Sequence, residues 1–249
     1  MRRILCTTGF TMLLSALCGC GGISMDRANR GAPTGTGFMV KTVNIDGVDR
    51  HYGLFIPHDY TAASHKPVIV FLHGIMEGGN NGTSNMGVGL GPAVARRAET
   101  FPFIVVFPQS PGEWKGAERA RIAIACLDQV QHDYSTDPGR VILTGLSNGG
   151  YGTWAIGAAY KTRFSALVPM CAYTDYEDVP SLVGIPIRCY HNSGDFLVPA
   201  GGSEEMFSRI KAAGGNMEFI KYGDIGHNCW DRAYDDPELF QWMQAARKS

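Results

Sequence analysis

Between Phe38 and Pro57 apolar and polar residues alternate in two runs, "FMVKTVNIDG" and "VDRHYGLFIP", which meet at Asp46-Gly47. Alternation with period two marks strands with one buried face, and Asp-Gly suits a two-residue turn, so an antiparallel hairpin at a sheet edge is expected. The pattern then changes. "PVIVFLHG", "FIVVFPQS", "RVILTGLS", "FSALVPMCA" and "PIRCYHNSGD" are continuous apolar runs of the kind that strands buried on both faces produce. Helical spacing lies between them at Pro92 to Glu99, Ala117 to Tyr134 and Gly149 to Tyr160. A helix in "SEEMFSRIKAAGG", a strand "MEFIKYGD" and a last helix in "DPELFQWMQAARK" complete the chain. Strand and helix in alternation predict an open, mostly parallel α/β sheet with helices on both faces. In such sheets chemistry gathers at the C-terminal strand ends.

The first residues follow a different rule. Arg2 and Arg3 precede "ILCTTGFTMLLSAL", an apolar run too short for a comfortable membrane span, so residues 1–19 are expected to be an export signal. The run ends in "LCGC", Leu17 to Cys20, which resembles a bacterial lipobox. That resemblance implies a lipid on Cys20 and a tether to the membrane or cell surface; the alternative is a soluble periplasmic or secreted protein. Residues 20–37 are small, polar and glycine-rich, a flexible spacer, and the folded domain is expected at 38–249.

Composition narrows the classes of function. With 249 residues, 45% hydrophobic and a formal net charge of −1, the chain is long enough for one large core or two small ones and has no basic excess for nucleic acid.

Gly145-Leu146-Ser147-Asn148-Gly149 is a G-x-S-x-G between an apolar strand and a helix, the context that gives this pattern meaning. A tight turn there presents a serine hydroxyl above the sheet, with a helix N-terminus aimed at it. A serine hydroxyl is a poor nucleophile unless a base and an acid stand behind it. Asp195 ends one strand run and His227 lies in the loop "GDIGHNCW" after the last, so both fall in the layer of Ser147. Asp175 or Asp178 could take the place of the acid. Asp224 is expected to shape the loop of His227, and His191 the turn before Asp195. His51, His58, His65 and His132 read as solvated. An oxyanion needs backbone donors, expected from Asn148 and from Ile75, with Gly74 letting the backbone approach and His73 structural. Trp114, Tyr151, Tyr173 and Trp230 fall near strand ends and are candidate aromatic platforms for substrate, whereas Trp154 reads as core.

These stretches together resemble the α/β-hydrolases, in particular bacterial esterases and peptidase-like proteins of the feruloyl-esterase and polyhydroxybutyrate-depolymerase kind. "YGLFIPHDY", "PVIVFLHG", "DPGRVILTGLSNGGYGTW", "GDFLVP" and "GHNCWDRAYDDPELFQWM" carry the likeness. It implies an α/β-hydrolase fold without a large lid and a serine carboxylic-ester hydrolase, with Ser147 as nucleophile, Asp195 as acid, His227 as base, and neither cofactor nor metal. The short connection from Ala172 to Ile185 favours an open cleft, for short-acyl or for phenolic and carbohydrate esters, free or linked to a polysaccharide. A peptidase of the prolyl-oligopeptidase-like type and a non-catalytic surface-binding lipoprotein are the rival classes. One departure is Asn192, where such enzymes often carry glycine before the acid, so the turn to Asp195 is expected to differ. Another is Cys229, close to the base. Of seven cysteines, Cys126, Cys171, Cys189 and Cys229 lie in the domain, and a Cys171–Cys229 disulfide would stiffen the histidine loop.

Overall fold

In the computed structural model, which describes residues 25–174 and 176–248, the alternating runs form β1 (Gly37–Ile45) and β2 (Val48–Ile56), paired antiparallel throughout. Asp46 and Gly47 turn between them at φ 52° and 81°, the left-handed pair that a tight hairpin requires. The five continuous apolar runs become β3 (Lys66–Leu72), β4 (Ile104–Phe107), β5 (Thr136–Leu146), β6 (Ala166–Met170) and β7 (Ile187–Gly194), and the strand expected in "MEFIKYGD" is β8 (Met217–Ile225). One sheet holds all eight in the order β1-β2-β4-β3-β5-β6-β7-β8. β2 meets β4 antiparallel, and every later pairing is parallel.

Side-chain alternation along the central strands explains why they read as unbroken apolar runs. Val68, Val70 and Leu72 of β3 face one core, and Ile69 and Phe71 face the other. After the short N-terminal helix α1 (Met25–Ala28), the helices divide between these faces. α3 (Ala117–Asp133), α4 (Asn148–Ala159), α5 (Val179–Leu182) and α6 (Gly201–Ala212) cover the first, through Leu127, Trp154, Leu182 and Met206. α2 (Leu90–Ala95), α7 (Trp230–Asp235) and α8 (Pro237–Ala245) cover the second, through Val94, Tyr234 and Phe240. The expected last helix is α8, and α7 precedes it where no helix was expected. Asp236 separates them and caps α8 by accepting the Glu238 N–H.

Within residues 25–37, which the sequence reads as part of a flexible spacer, Ala28 and Asn29 contact the domain. Ala28 is buried against the second core, and the Asn29 side chain bonds both the N–H and the carbonyl of Phe38, at 2.6 and 2.8 Å. β1 is an edge strand, so these bonds cover backbone groups that no other strand reaches. The signal-like residues and Cys20 lie outside the described residues.

Candidate active site

Ser147 sits between β5 and α4 at φ 52°, ψ −118°, a conformation costly for any residue with a Cβ. Its surroundings impose that geometry. A Cβ at Gly145 would lie 2.3 Å from the Gly149 carbonyl oxygen, and one at Gly149 would lie 1.9 Å from that of Leu72. Glycine at both positions lets α4 start directly against β3. The Ser147 N–H donates to Met170 O at 2.9 Å, and its carbonyl accepts the Tyr151 N–H at 3.0 Å, which opens the helix. α4 begins at Asn148, one residue before the expected start.

The loop after β3 is held from several sides. The Ser110 N–H donates to His73 Nε2 at 3.0 Å, so the ring proton is on Nδ1, which donates to Gly74 O at 2.6 Å. Burial pushes His73 down to about 4, and it is a neutral structural group. The buried Gln109 straps the loop onward, donating to Glu77 O and accepting the Gly82 N–H. A Cβ at Gly74 would stand 3.0 Å from Leu146, the residue before Ser147, so glycine is what allows this close approach. Ile75 opens a short 3-10 helix (Ile75–Glu77) and Asn148 opens α4. First-turn N–H groups have no carbonyl partner within their own helix.

Asp195 and His227 meet at the ends of β7 and β8. Nδ1 of His227 lies 2.6 Å from Oδ2 of Asp195, which assigns the ring proton to Nδ1 and leaves Nε2 as the basic nitrogen. Oδ1 of Asp195 accepts the N–H groups of Leu197 and Val198, both at 2.9 Å. The rival carboxylates are engaged elsewhere or not described: Asp178 accepts from Thr174, Asp224 pairs with Arg232 at 2.9 Å, and Asp175 lies outside the described residues. Asn192 takes on a task its position did not announce. Its Nδ2 donates to Gly226 O at 2.9 Å and Asn228 O at 3.1 Å, the carbonyls on either side of His227. Cys171 donates its S–H to the carbonyl of His227 itself at 2.9 Å. Among the described residues, Cys171, Asp195 and His227 form the one group of three possible metal donors, and the Cys171 thiol, the Asp195 carboxylate and Nδ1 of His227 are already bonded to protein groups.

This sheet order, with a strained serine after β5 and the acid and base after β7 and β8, invites comparison with known folds. A solved thermostable esterase superposes with a TM-score of 0.77 at 26% identity, over 85% of this chain and 63% of that one. The chain has the α/β-hydrolase fold. The chain is 23% identical over 193 residues to acyl-protein thioesterase 1 homolog 2 of Dictyostelium discoideum, covering 67% of this chain and 87% of that protein. It is 25% identical over 192 residues to acetylxylan esterase A of Emericella nidulans, covering 71% of this chain and 55% of that protein. No family profile matches the chain. The chain spans less than two thirds of both the solved esterase and the acetylxylan esterase.

The aromatic platforms need correction. Trp114 is fully buried and does not line a cleft; its indole N–H donates to His73 O at 3.1 Å and its backbone N–H to Asn148 Oδ1 at 3.3 Å. It ties the two halves of the expected oxyanion site together. Trp230 is also mostly buried, with its ring edge-on to His227 at 5.4 Å between centroids. Tyr151 and Tyr173 are half-buried and pack on each other at 5.6 Å. Burial and its tyrosine neighbour push Tyr151 up to about 12, so it stays a neutral hydroxyl. Trp154 is core, as expected, and donates to Ala172 O.

Proposed function

We propose that this hydrolase cleaves carboxylic esters in two acyl-transfer steps, with Ser147 as nucleophile, His227 as base and Asp195 as acid. The observation that carries the reading is the 2.6 Å bond between Asp195 and Nδ1 of His227, at strand ends in the same layer as the strained Ser147 turn. Ser147 Oγ attacks the ester carbonyl while Nε2 of His227 takes its proton. His227 returns that proton to the leaving alcohol, and an acyl group remains on Ser147. Water, deprotonated by the same nitrogen, then releases the carboxylic acid and restores the serine. The N–H groups of Ile75 and Asn148 receive the oxyanion, and Asp195 balances the imidazolium.

The names of the similar esterases and thioesterase support the same bond class. The substrate proposed is a small-molecule or polysaccharide-linked ester reached through an open cleft, and the sequence resemblance to an export signal with a lipidation site at Cys20 supports a position on a bacterial membrane or cell surface. Hydrolysis of p-nitrophenyl acetate and butyrate by residues 25–249, beside a Ser147→Ala form, tests the chemistry. Loss of about 10⁴-fold or more in kcat supports it. Turnover that survives the substitution, or none in the parent, rejects it.

A further inference from the structure

His191, four residues before Asp195 on β7, has no exposed surface. Its Nε2 lies 2.8 Å from the carbonyl oxygen of Val198 and 3.2 Å from Oδ2 of Asp195. A carbonyl oxygen can only accept, so Nε2 carries a proton. On the other side of the ring, Nδ1 lies 2.8 Å from Oγ of Ser203. The hydroxyl also lies 2.9 Å from Ala172 O, a carbonyl that receives the Trp154 indole N–H at 3.0 Å as well. With its proton turned to Nδ1, Ser203 satisfies the ring as the neutral Nε2–H tautomer. Burial works in the same direction and holds the imidazole below its ordinary pKa.

We propose that His191 is a positioning residue for Asp195, a fixed neutral donor that shares Oδ2 with His227; the inference rests on the function proposed above. Oδ1 takes Leu197 and Val198, and Oδ2 takes His227, with the His191 N–H, donated mainly to Val198 O, as a weaker second contact at 3.2 Å. The carboxylate cannot rotate without losing these contacts. Its charge is divided between two imidazoles, which limits how strongly it stabilises the charged form of His227. The titratable groups facing His191 are Asp195, His227 and, beyond Ser203, the thiol of Cys189. The feature is a His-Asp-His row in which His227 is the proposed base and His191 is sealed in the protein.

Profiles of kcat and KM against pH for p-nitrophenyl butyrate, with the parent, His191→Gln, His191→Phe and Ser203→Ala, test this. Gln presents an amide N–H near the position of Nε2, whereas Phe keeps the ring and removes the donor. The Gln form is expected to keep kcat within roughly threefold. The Phe form is expected to lose about ten- to a hundredfold in kcat, the worth of a hydrogen bond to a charged group, at unchanged KM. Its acid limb moves to higher pH, because Asp195 then serves His227 undivided. If the Phe protein does not fold, Ser203→Ala carries the test, with a smaller loss in kcat and the same sense of pH shift. Equal losses in Gln and Phe with an unmoved acid limb overturn the proposal, and so does full activity in the Phe or Ser203→Ala form. Either leaves Ser147-dependent turnover in the parent, and the functional reading, standing. A parent without ester turnover rejects both.

Discussion

The sulfur atoms of Cys171 and Cys229 lie 2.7 Å apart, both as buried thiols, beneath the loop that carries His227. Cys171 is itself held at φ 52° and also bonds the His227 carbonyl, so this pair ties the end of β6 to the base. Exchange with an oxidising disulfide would join the sulfurs and transfer both hydrogens to the oxidant. The cross-link closes a span of 58 residues, for which chain entropy alone allows about 4 kcal/mol. We expect protein treated with oxidised glutathione to resist alkylation at both positions after unfolding, and its thermal midpoint to fall on reduction. Alkylation of both cysteines without reductant would refute this.

The turn at Ser147 predicts a trade between stability and activity. Its left-handed φ costs about 1–3 kcal/mol for a residue with a Cβ, and glycine avoids that cost while adding some backbone entropy to the unfolded chain. Ser147→Gly should therefore unfold at higher denaturant than the parent, by about 1 kcal/mol, while losing ester hydrolysis. A Gly form less stable than the parent would mean the turn is not strained.

His73 predicts how stability responds to acid. Its folded pKa is depressed to about 4 from an ordinary 6.5, so the unfolded chain takes up the proton first as pH falls. Stability present above about 6.5 is lost progressively down to about 4, by up to about 3 kcal/mol. His191, also held below its ordinary value, acts in the same sense. In urea unfolding, the gap between parent and His73→Asn should narrow between pH 7 and pH 4.5. A gap that stays constant would show that His73 does not carry the loss.

Asn192 shows where reading the chain stops. The strand runs and the glycine pairs around Ser147 are local patterns, and they put Ser147, Asp195 and His227 at C-terminal strand ends without any knowledge of contacts. The strap from Asn192 to Gly226 and Asn228, and the approach of His191 to Asp195, depend on the register of β7 against β8 and on the loop beyond it. The one local signal was the replacement of a usual glycine by Asn192. Trp114 misled for a related reason: its place near a strand end was legible, whereas its packing against Gly152 and His73 belongs to a different element. Asn192→Ala should cost about 1–3 kcal/mol of stability and lower kcat more than KM rises, since two carbonyls beside His227 lose their donor. Unchanged kcat with reduced stability would assign Asn192 to folding alone.

The surface around the site predicts a preference in the ester. Among the described residues seven large apolar side chains stand exposed, and five of them flank the candidate residues. Ile75 and Met76 follow Gly74, Phe196 and Leu197 follow Asp195, and Ile225 precedes His227 by two positions. Phe196 and Ile225 are brought to one place by the pairing of Gly194 with Ile225, and the ring of Phe196 lies close to Gly226. Isolated exposed apolar residues need no explanation, but their concentration at the rim of a site points to an apolar ligand. Each CH₂ that an acyl chain buries there contributes about 0.8 kcal/mol, or about fourfold in kcat/KM. Across p-nitrophenyl acetate, butyrate, hexanoate and octanoate, kcat/KM should rise until the chain outgrows the rim, and Met76→Ser with Phe196→Ser should flatten the rise while leaving acetate turnover near the parent value. A flat profile in the parent would mean that these side chains do not meet the acyl group, and would leave the alcohol side of the ester as the part they contact.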